Sequence, residues 1–225
     1  MYRILDQTAE LLVIDKSPGI SVHKDQEIAG LTMQLQKDLA LEQIYLVHRL
    51  DKVTSGVMVF AKSAQAASAL AEQFRSRQVK KFYLAISKGK PRRKQGLICG
   101  DMDRSRRGMW KLLKTRRNPA ITQFFSCSVK PGYRLFLLKP TTGKTHQIRV
   151  ALKSEGAAIL GDKLYSGVVS DRTYLHAYSL GFVYAGEEYS YLSLPSEGEF
   201  FDEACIHAIT QHFSDPEALN WPNIK

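Results

Sequence analysis

His48-Arg49-Leu50-Asp51-Lys52-Val53-Thr54-Ser55-Gly56 sets one carboxylate between two cations in a polar connection that follows an apolar run. Arg49 and Lys52 would keep Asp51 ionised, and Thr54, Ser55 and Gly56 supply local hydrogen-bond donors. A carboxylate held that way can serve as a nucleophile or as a general base. The same residues also fit a turn aspartate that satisfies its own backbone, and the pattern alone leaves both open. Gly143-Lys144-Thr145 invites a phosphate-cradle reading, but G-x-x-x-x-G-K-[ST] requires a glycine where the chain has Leu138, and Pro140 lies inside the loop. A Walker loop is therefore excluded. His207 and His212 are five residues apart and diverge on a helix, so they make no zinc pair. His23, His48, His146 and His176 fall in four separate segments, where a histidine is more often a hydrogen-bonded structural residue than a ligand. No metal is expected.

The elements that must position these residues follow from periodicity and turn chemistry. Leu11–Ile14 is an apolar run closed by the turn Asp15-Lys16-Ser17-Pro18-Gly19, and Ile20–His23 resumes as extended chain. Leu31–Leu41 reads as a short helix; Ile44–His48 and Val57–Ala61 read as β-branched strands flanking the Asp51 loop. Ser63 is an N-cap for a helix with Ala67, Leu70 and Phe74 on one face. In Val79–Ser87, Phe82, Leu84 and Ile86 face one way and Tyr83 the other. Ile121–Val129 and Tyr133–Leu138 read as strands joined by Lys130-Pro131-Gly132, and Lys144–Glu155 as a helix closed by Gly156. Tyr174–Tyr184 and Glu188–Leu194 form a hairpin around Ala185-Gly186, and a last helix covers Glu203–Phe213. Strands outnumber helices and do not alternate with them regularly. The expected class is α+β, with a mixed, largely antiparallel sheet and flanking helices.

Composition bounds the function. The 225 residues are 44% hydrophobic and 24% charged, a balance that excludes disordered, collagen-like and coiled-coil chains. The longest apolar runs are strand-sized, too short for a membrane helix, and Met1–Asp6 has no apolar signal region. Three cysteines without C-x-x-C spacing read as reduced, packed thiols in a cytoplasmic protein. The formal net charge of +10 is confined to one stretch, because Lys88–Arg117 holds twelve basic residues against Asp101 and Asp103. Such a block attracts a polyanion. With Met109 and Trp110 inside it, it reads as an RNA or DNA contact surface, against the plainer alternative of a solvated basic loop.

His48–Gly56 closely resembles the H-R-L-D-x-x-T-S-G signature of the RluA-type pseudouridine synthases. Other segments match in the family's order. Leu11–Gly19 looks like its opening strand and D-K-P-x-G turn, with Ser17-Pro18 displaced from the usual proline position. Lys81-Phe82-Tyr83 is similar to its K-x-Y strand, Thr142–Val150 to its T-G-[RK]-x-H-Q-[IL]-R-V stretch, and Ile159-Leu160-Gly161-Asp162 to its I-L-G-D. Ala151 and Ala157-Ala158 depart from the family's usual histidine and proline. The resemblance covers roughly residues 8 to 195.

That resemblance implies isomerisation of uridine to pseudouridine in ribosomal or transfer RNA. Base leaves ribose, rotates and rejoins through carbon, with no redox change, so neither cofactor nor metal is implied. Asp51 would be the catalytic carboxylate, its chemical step left open. Tyr83 would stack on the extracted base, Arg149 would pair with Asp51, Arg49 would enter the RNA near the vacated position, and Leu175 would line the base pocket. Arg92, Arg93, Arg106 and Arg107 are the candidates for further RNA grip. The expected organisation is a single catalytic domain over 1–225 with a basic insert at 88–117 and no separate N-terminal RNA-binding domain. A cytoplasmic monomer without an obligate protein partner or membrane contact is expected. Two other classes compete. One is a catalytically silent RNA-binding protein, against which the intact Asp51, Tyr83 and Arg149 argue. The other is a nucleoside or sugar hydrolase, disfavoured because no second motif carboxylate accompanies Asp51.

Overall fold

The structure, a computed structural model, describes residues 1–22, 30–165 and 168–224. In chain order the elements are β1 (Tyr2–Gln7), β2 (Leu11–Lys16), α1 (Leu31–Asp38), β3 (Tyr45–Leu46), β4 (Ser55–Ala61), α2 (Ala64–Arg75) and β5 (Lys80–Lys88). They continue with β6 (Gln95–Gly100), β7 (Met102–Arg104), β8 (Trp110–Leu112), β9 (Ala120–Lys130), β10 (Tyr133–Pro140), α3 (Gln147–Ser154), β11 (Leu175–Tyr184), β12 (Glu187–Leu192) and α4 (Glu203–Phe213). The class is α+β with a mixed, mostly antiparallel sheet, as the strand-rich pattern led one to expect. The chain divides into two compact units, Met1–Lys81 with Ala177–Pro195, and Phe82–His176 with Ser196–Lys225.

In the first unit β1, β2 and β4 pair antiparallel in that order, and β3 pairs with β4. All of Leu11–Ile14 and all of Ser55–Ala61 are buried, which is why both runs are apolar without alternation. Leu11, Val13, Val57 and Val59 meet Ala66 and Leu70 of α2 and Leu180 and Phe182 of β11 in one core. The hydroxyl of Ser63 accepts from the Ala66 amide at 3.2 Å, so the N-cap lies where its sequence signal put it. β11 and β12 turn back through Ala185 and Gly186, both at positive φ (51° and 84°), the geometry of a tight primed turn.

The second unit pairs β5, β10, β9 and β6 antiparallel in that order. Leu135–Leu138 of β10 are fully buried, and Phe124 meets Phe136 with ring centroids 6.0 Å apart. Trp221 packs on Phe82 (5.7 Å) and Phe125 (5.0 Å). Asp202 caps α4 by accepting from the Cys205 amide at 2.9 Å.

Two expected boundaries need correction, and two segments hold strands that the sequence did not announce. The strand β1 had no sequence signal, since its side chains are at most half-buried and show no clean alternation. The strand expected over Ile44–His48 shrinks to Tyr45–Leu46, because the chain beyond it turns away to form the Asp51 loop. The helix expected from Lys144 starts at Gln147, because His146 adopts a left-handed conformation (φ 57°, ψ 17°) and ends the turn before it. The basic stretch, for which a solvated loop was the plainer alternative, carries β6, the ribbon β7–β8 and a short 3-10 turn at Arg106–Gly108. The extended run Ile20–His23 lies partly outside the described residues. Among the described residues no helix is long and apolar enough to cross a membrane.

Gly56 shows how tightly the Asp51 loop is built onto the sheet. Its φ is +112°, and a Cβ there would lie 2.6 Å from the Ala177 nitrogen and closer still to its carbonyl oxygen. Both the backbone conformation and the space admit only glycine. Gly56→Ala is expected to lower the unfolding free energy by more than about 2 kcal/mol in urea titrations, with the loop residues losing amide protection first.

Candidate active site

The Asp51 loop belongs to the first unit and is fastened at both ends. At its start His48 accepts the Val59 amide on Nε2 at 3.1 Å, and its ring stacks on Phe74 (4.4 Å, 15°). Leu50 is buried while Arg49 and Lys52 are exposed, so the apolar residue anchors the loop and the cations face water. The Thr54 amide donates to the Asp51 carbonyl at 3.0 Å, closing a turn, and Thr54, Ser55 and Gly56 then sink into the sheet. The half-buried Asp51 side chain stands at the head of this turn. Lys16 completes the support. It is fully buried, and its Nζ donates to the carbonyls of Ser17 (3.0 Å), Ile20 (3.1 Å) and Lys52 (3.4 Å). The Gly19 amide shares the Lys52 carbonyl at 2.8 Å. The turn after β2 and the Asp51 loop are thereby joined.

Arg149 belongs to the second unit, on the buried face of α3. Its Nε and one terminal nitrogen donate to the two carboxylate oxygens of Asp162 at 2.7 and 2.8 Å, a fork-to-fork pair with both side chains buried. Its guanidinium carbon lies 5.0 Å from the centroid of the Tyr165 ring. Gln147, at the first turn of the same helix, accepts from the Thr142 hydroxyl (2.7 Å) and the Lys144 amide (3.0 Å), and donates to the Ile121 carbonyl (3.0 Å) and Thr122 (3.0 Å). The turn leading into α3 is thus held by the protein's own groups. Tyr83 is half-buried on β5 opposite Leu138, between the buried Phe82 and Leu84. Leu175 is buried at the start of β11, and the Arg172 guanidinium reaches its carbonyl at 3.4 Å.

All twelve basic side chains of Lys88–Arg117 are exposed. Arg106 and Arg107 form the tip between β7 and β8, with Arg107 at φ 55°. Arg92 is exposed, whereas the exposed Arg93 is already engaged: it pairs with the largely buried Glu155 and donates to the Leu97 carbonyl at 3.3 Å. The two acids of the stretch serve its shape. The Thr115 hydroxyl and the Arg117 and Asn118 amides hold the Asp101 carboxyl below the usual carboxylate range, and Asp103 faces Lys111 across the ribbon at 3.8 Å. Among the described residues no group of three or more His, Cys, Asp or Glu side chains is placed to hold a metal ion.

A partly exposed carboxylate on a pinned loop and an exposed basic ribbon are features an enzyme acting on a polyanion would use. Comparison with known proteins makes the class specific. Residues 10–154 match the RNA pseudouridylate synthase family model. A Haemophilus influenzae protein described as an uncharacterized RNA pseudouridine synthase is 52% identical over 200 residues, 88% of this chain and 89% of that one. The Borreliella burgdorferi ribosomal large subunit pseudouridine synthase D is 34% identical over 79% of this chain, and the chain spans 60% of its length. Among solved structures, human RNA pseudouridylate synthase domain containing 4 superposes with a TM-score of 0.71 at 29% identity, covering 92% of each chain. The chain belongs to the RluA-type RNA pseudouridine synthases, and its activity is that of an isomerase.

Sequence reasoning passed over Lys16, Asp162, Tyr165 and the role of His48. Lys16 and Asp162 lie within the family motifs, and the signal for each was a charge inside an otherwise apolar or glycine-bounded segment. Tyr165 gave none. His48 makes a measurable statement: enclosure by its neighbours and the charge of Lys81 lower its pKa from 6.5 to about 3. The neutral ring is thus the form that folds. The unfolded chain takes up a proton below pH 6.5 that the folded chain refuses until about pH 3, so this contribution is complete above 6.5 and is lost as pH falls through that window. His48→Gln, which keeps an acceptor for the Val59 amide and does not titrate, is expected to flatten unfolding free energy against pH between 3 and 6.5 relative to wild type, as read by denaturant titration.

Proposed function

We propose that the protein isomerises specific uridines in ribosomal or transfer RNA, with Asp51 as the catalytic carboxylate. The observation that carries the assignment is the loop itself. Asp51 stands in the signature segment His48–Gly56, its backbone pinned by the Thr54 amide and by the Lys16 contact to the next carbonyl, with its side chain still partly open to solvent. In the reaction the bond from ribose C1′ to uracil N1 breaks, the base rotates, and C1′ bonds to C5. The C5 hydrogen leaves to solvent and N1 takes up a proton. Asp51 acts at the start of this sequence, on the sugar or on the base. Arg149, whose geometry Asp162 fixes, is the cation assigned to orient Asp51.

Tyr83 is assigned to the ring of the extracted base and to proton movement from C5. Arg49, exposed beside Asp51, is assigned to the RNA at the vacated position, where a cation offsets part of the cost of unstacking. Leu175 is assigned to the apolar lining around the base. The exposed basic stretch holds the RNA backbone, and the ten charges it contributes are the whole of the protein's excess. The protein acts as a cytoplasmic monomer in this reading, with a catalytic domain spanning 1–225.

Tritium release from RNA labelled at uracil C5 tests the assignment. Asp51→Asn is expected to abolish release while leaving RNA affinity within about threefold of wild type in filter binding, since the pinned backbone of the loop is unchanged and a single charge is removed. Release that survives Asp51→Ala would overturn the catalytic role, and a silent wild type on both RNA classes would return the protein to a binding function. A second measurement addresses the charge. Replacing Arg92, Arg106 and Arg107 by Gln is expected to weaken binding and to flatten log affinity against log salt by roughly 0.7–0.9 for each phosphate no longer neutralised. Arg93→Gln is made separately, because it also breaks the pair with Glu155. An unchanged salt slope in the triple variant would contradict the RNA grip.

A further inference from the structure

The ribbon β7–β8 leaves the sheet at the end of β6 and returns at the start of β9, and three sets of contacts hold it. At its base the Asp101 amide donates to the Thr115 carbonyl (2.8 Å), the Leu113 amide donates to the Asp101 carbonyl (2.7 Å), and the Asp101 carboxylate takes the Arg117 and Asn118 amides (3.0 and 2.8 Å). Along its length Asp103 faces Lys111, and the Arg104 guanidinium lies 5.7 Å from the Trp110 ring opposite it. The third attachment reaches out of the ribbon. The Trp110 amide donates to the hydroxyl of Tyr165 at 2.9 Å.

Tyr165 is buried, and its surroundings join the ribbon to Arg149. Its hydroxyl, besides accepting from Trp110, bonds Nδ1 of His146 at 2.9 Å. Its ring carries the Arg149 guanidinium at 5.0 Å and the Lys153 ammonium at 5.5 Å. Its amide donates to the Asp162 carbonyl at 3.1 Å, so one tight turn supplies both the carboxylate that locks Arg149 and the hydroxyl that takes the ribbon. His146 meets this hydroxyl from a left-handed backbone, a conformation that disfavours a non-glycine residue and that the Tyr165 contact helps to hold.

We propose that Tyr165 is a positioning residue that fastens the basic ribbon to the Arg149 segment, so that RNA gripped by Arg106 and Arg107 is held in fixed register with Arg149. The inference rests on the RNA-gripping role assigned to the ribbon. An untethered two-stranded ribbon of three residues a side has little stability of its own. With its tip moving independently, its charge would still attract RNA but would no longer orient it. The Tyr165 hydroxyl turns a mobile charge into a directed one.

Tyr165→Phe removes the hydroxyl and keeps the ring beneath Arg149 and Lys153, which makes it the test variant. Affinities for unmodified ribosomal and transfer RNA transcripts, each used as a separate probe, are measured by filter binding for wild type, Y165F, R106Q/R107Q and the combined variant. Y165F is expected to weaken binding about fivefold in the wild-type background and by less than about twofold in R106Q/R107Q, the non-additivity of groups that act together. Hydrogen exchange of the Trp110 amide should quicken about tenfold in Y165F. In single-turnover tritium release the loss should fall on the half-saturating RNA concentration rather than on the rate at saturation. Equal weakening in both backgrounds overturns the proposal, as does unchanged Trp110 exchange. A fall in the saturating rate at unaltered affinity overturns it too, and would make Tyr165 a support of Arg149 alone. If R106Q/R107Q binds both transcripts like wild type, the ribbon's RNA role falls and this proposal with it, whereas the assignment of Asp51 is read independently by Asp51→Asn.

Discussion

Lys16 lies fully buried at the end of β2, and its ammonium donates to the carbonyls of Ser17, Ile20 and Lys52. An ammonium has three N–H donors, and these carbonyls draw on that capacity. Removing such a charge from water costs several kcal/mol even after relaxation, and the cost is offset only while all the acceptors stay in place. The turn after β2 and the loop after His48 are therefore stable together or not at all. The Gly19 amide on the same Lys52 carbonyl strengthens that dependence, because displacing the loop would strand a backbone donor as well as the ammonium. Asp51 inherits its backbone position from this cluster, although Lys16 is remote from it in sequence.

The second unit uses the same physics with opposite emphasis. Arg149 has its charge met by Asp162 in a two-pronged pair, and a planar guanidinium held that way keeps one orientation where a lysine would not. The Tyr165 ring then lies against the guanidinium while its hydroxyl turns outward to the ribbon. Buried charge is thus used for position, while the exposed charge faces solvent. The twelve cations of Lys88–Arg117 remain at the surface, and Asp101 and Asp103 among them shape the segment more than they cancel its field. Arg93, though exposed, also forms a structural pair with Glu155.

Periodicity made most elements legible. β4, β9, β10, α2 and α4 appear where apolar runs, a serine cap and the Pro131-Gly132 turn placed them, because burial of a continuous run or one helix face is written residue by residue. β6, β7 and β8 were hidden by the density of lysine and arginine. A ribbon exposed to solvent needs few apolar residues, so it leaves the same composition as a loop. The start of α3 was misplaced for another reason. Lys144 and Thr145 are compatible with helix, and the left-handed His146 that ends the turn is held by a hydroxyl nineteen residues further on.

Read alone, the sequence determined the α+β class, the Asp51 signature and the confinement of all excess charge to Lys88–Arg117. Each is a local quantity: a period, a motif or a count within one segment. Tertiary structure alone decided that Lys16 supports the Asp51 loop, that Asp162 locks Arg149, and that Tyr165 carries the basic ribbon. The partner of a buried charge or hydroxyl is whichever group the folded chain brings within about 3 Å, and a hydrogen bond of that length leaves no trace in the spacing of the residues that make it.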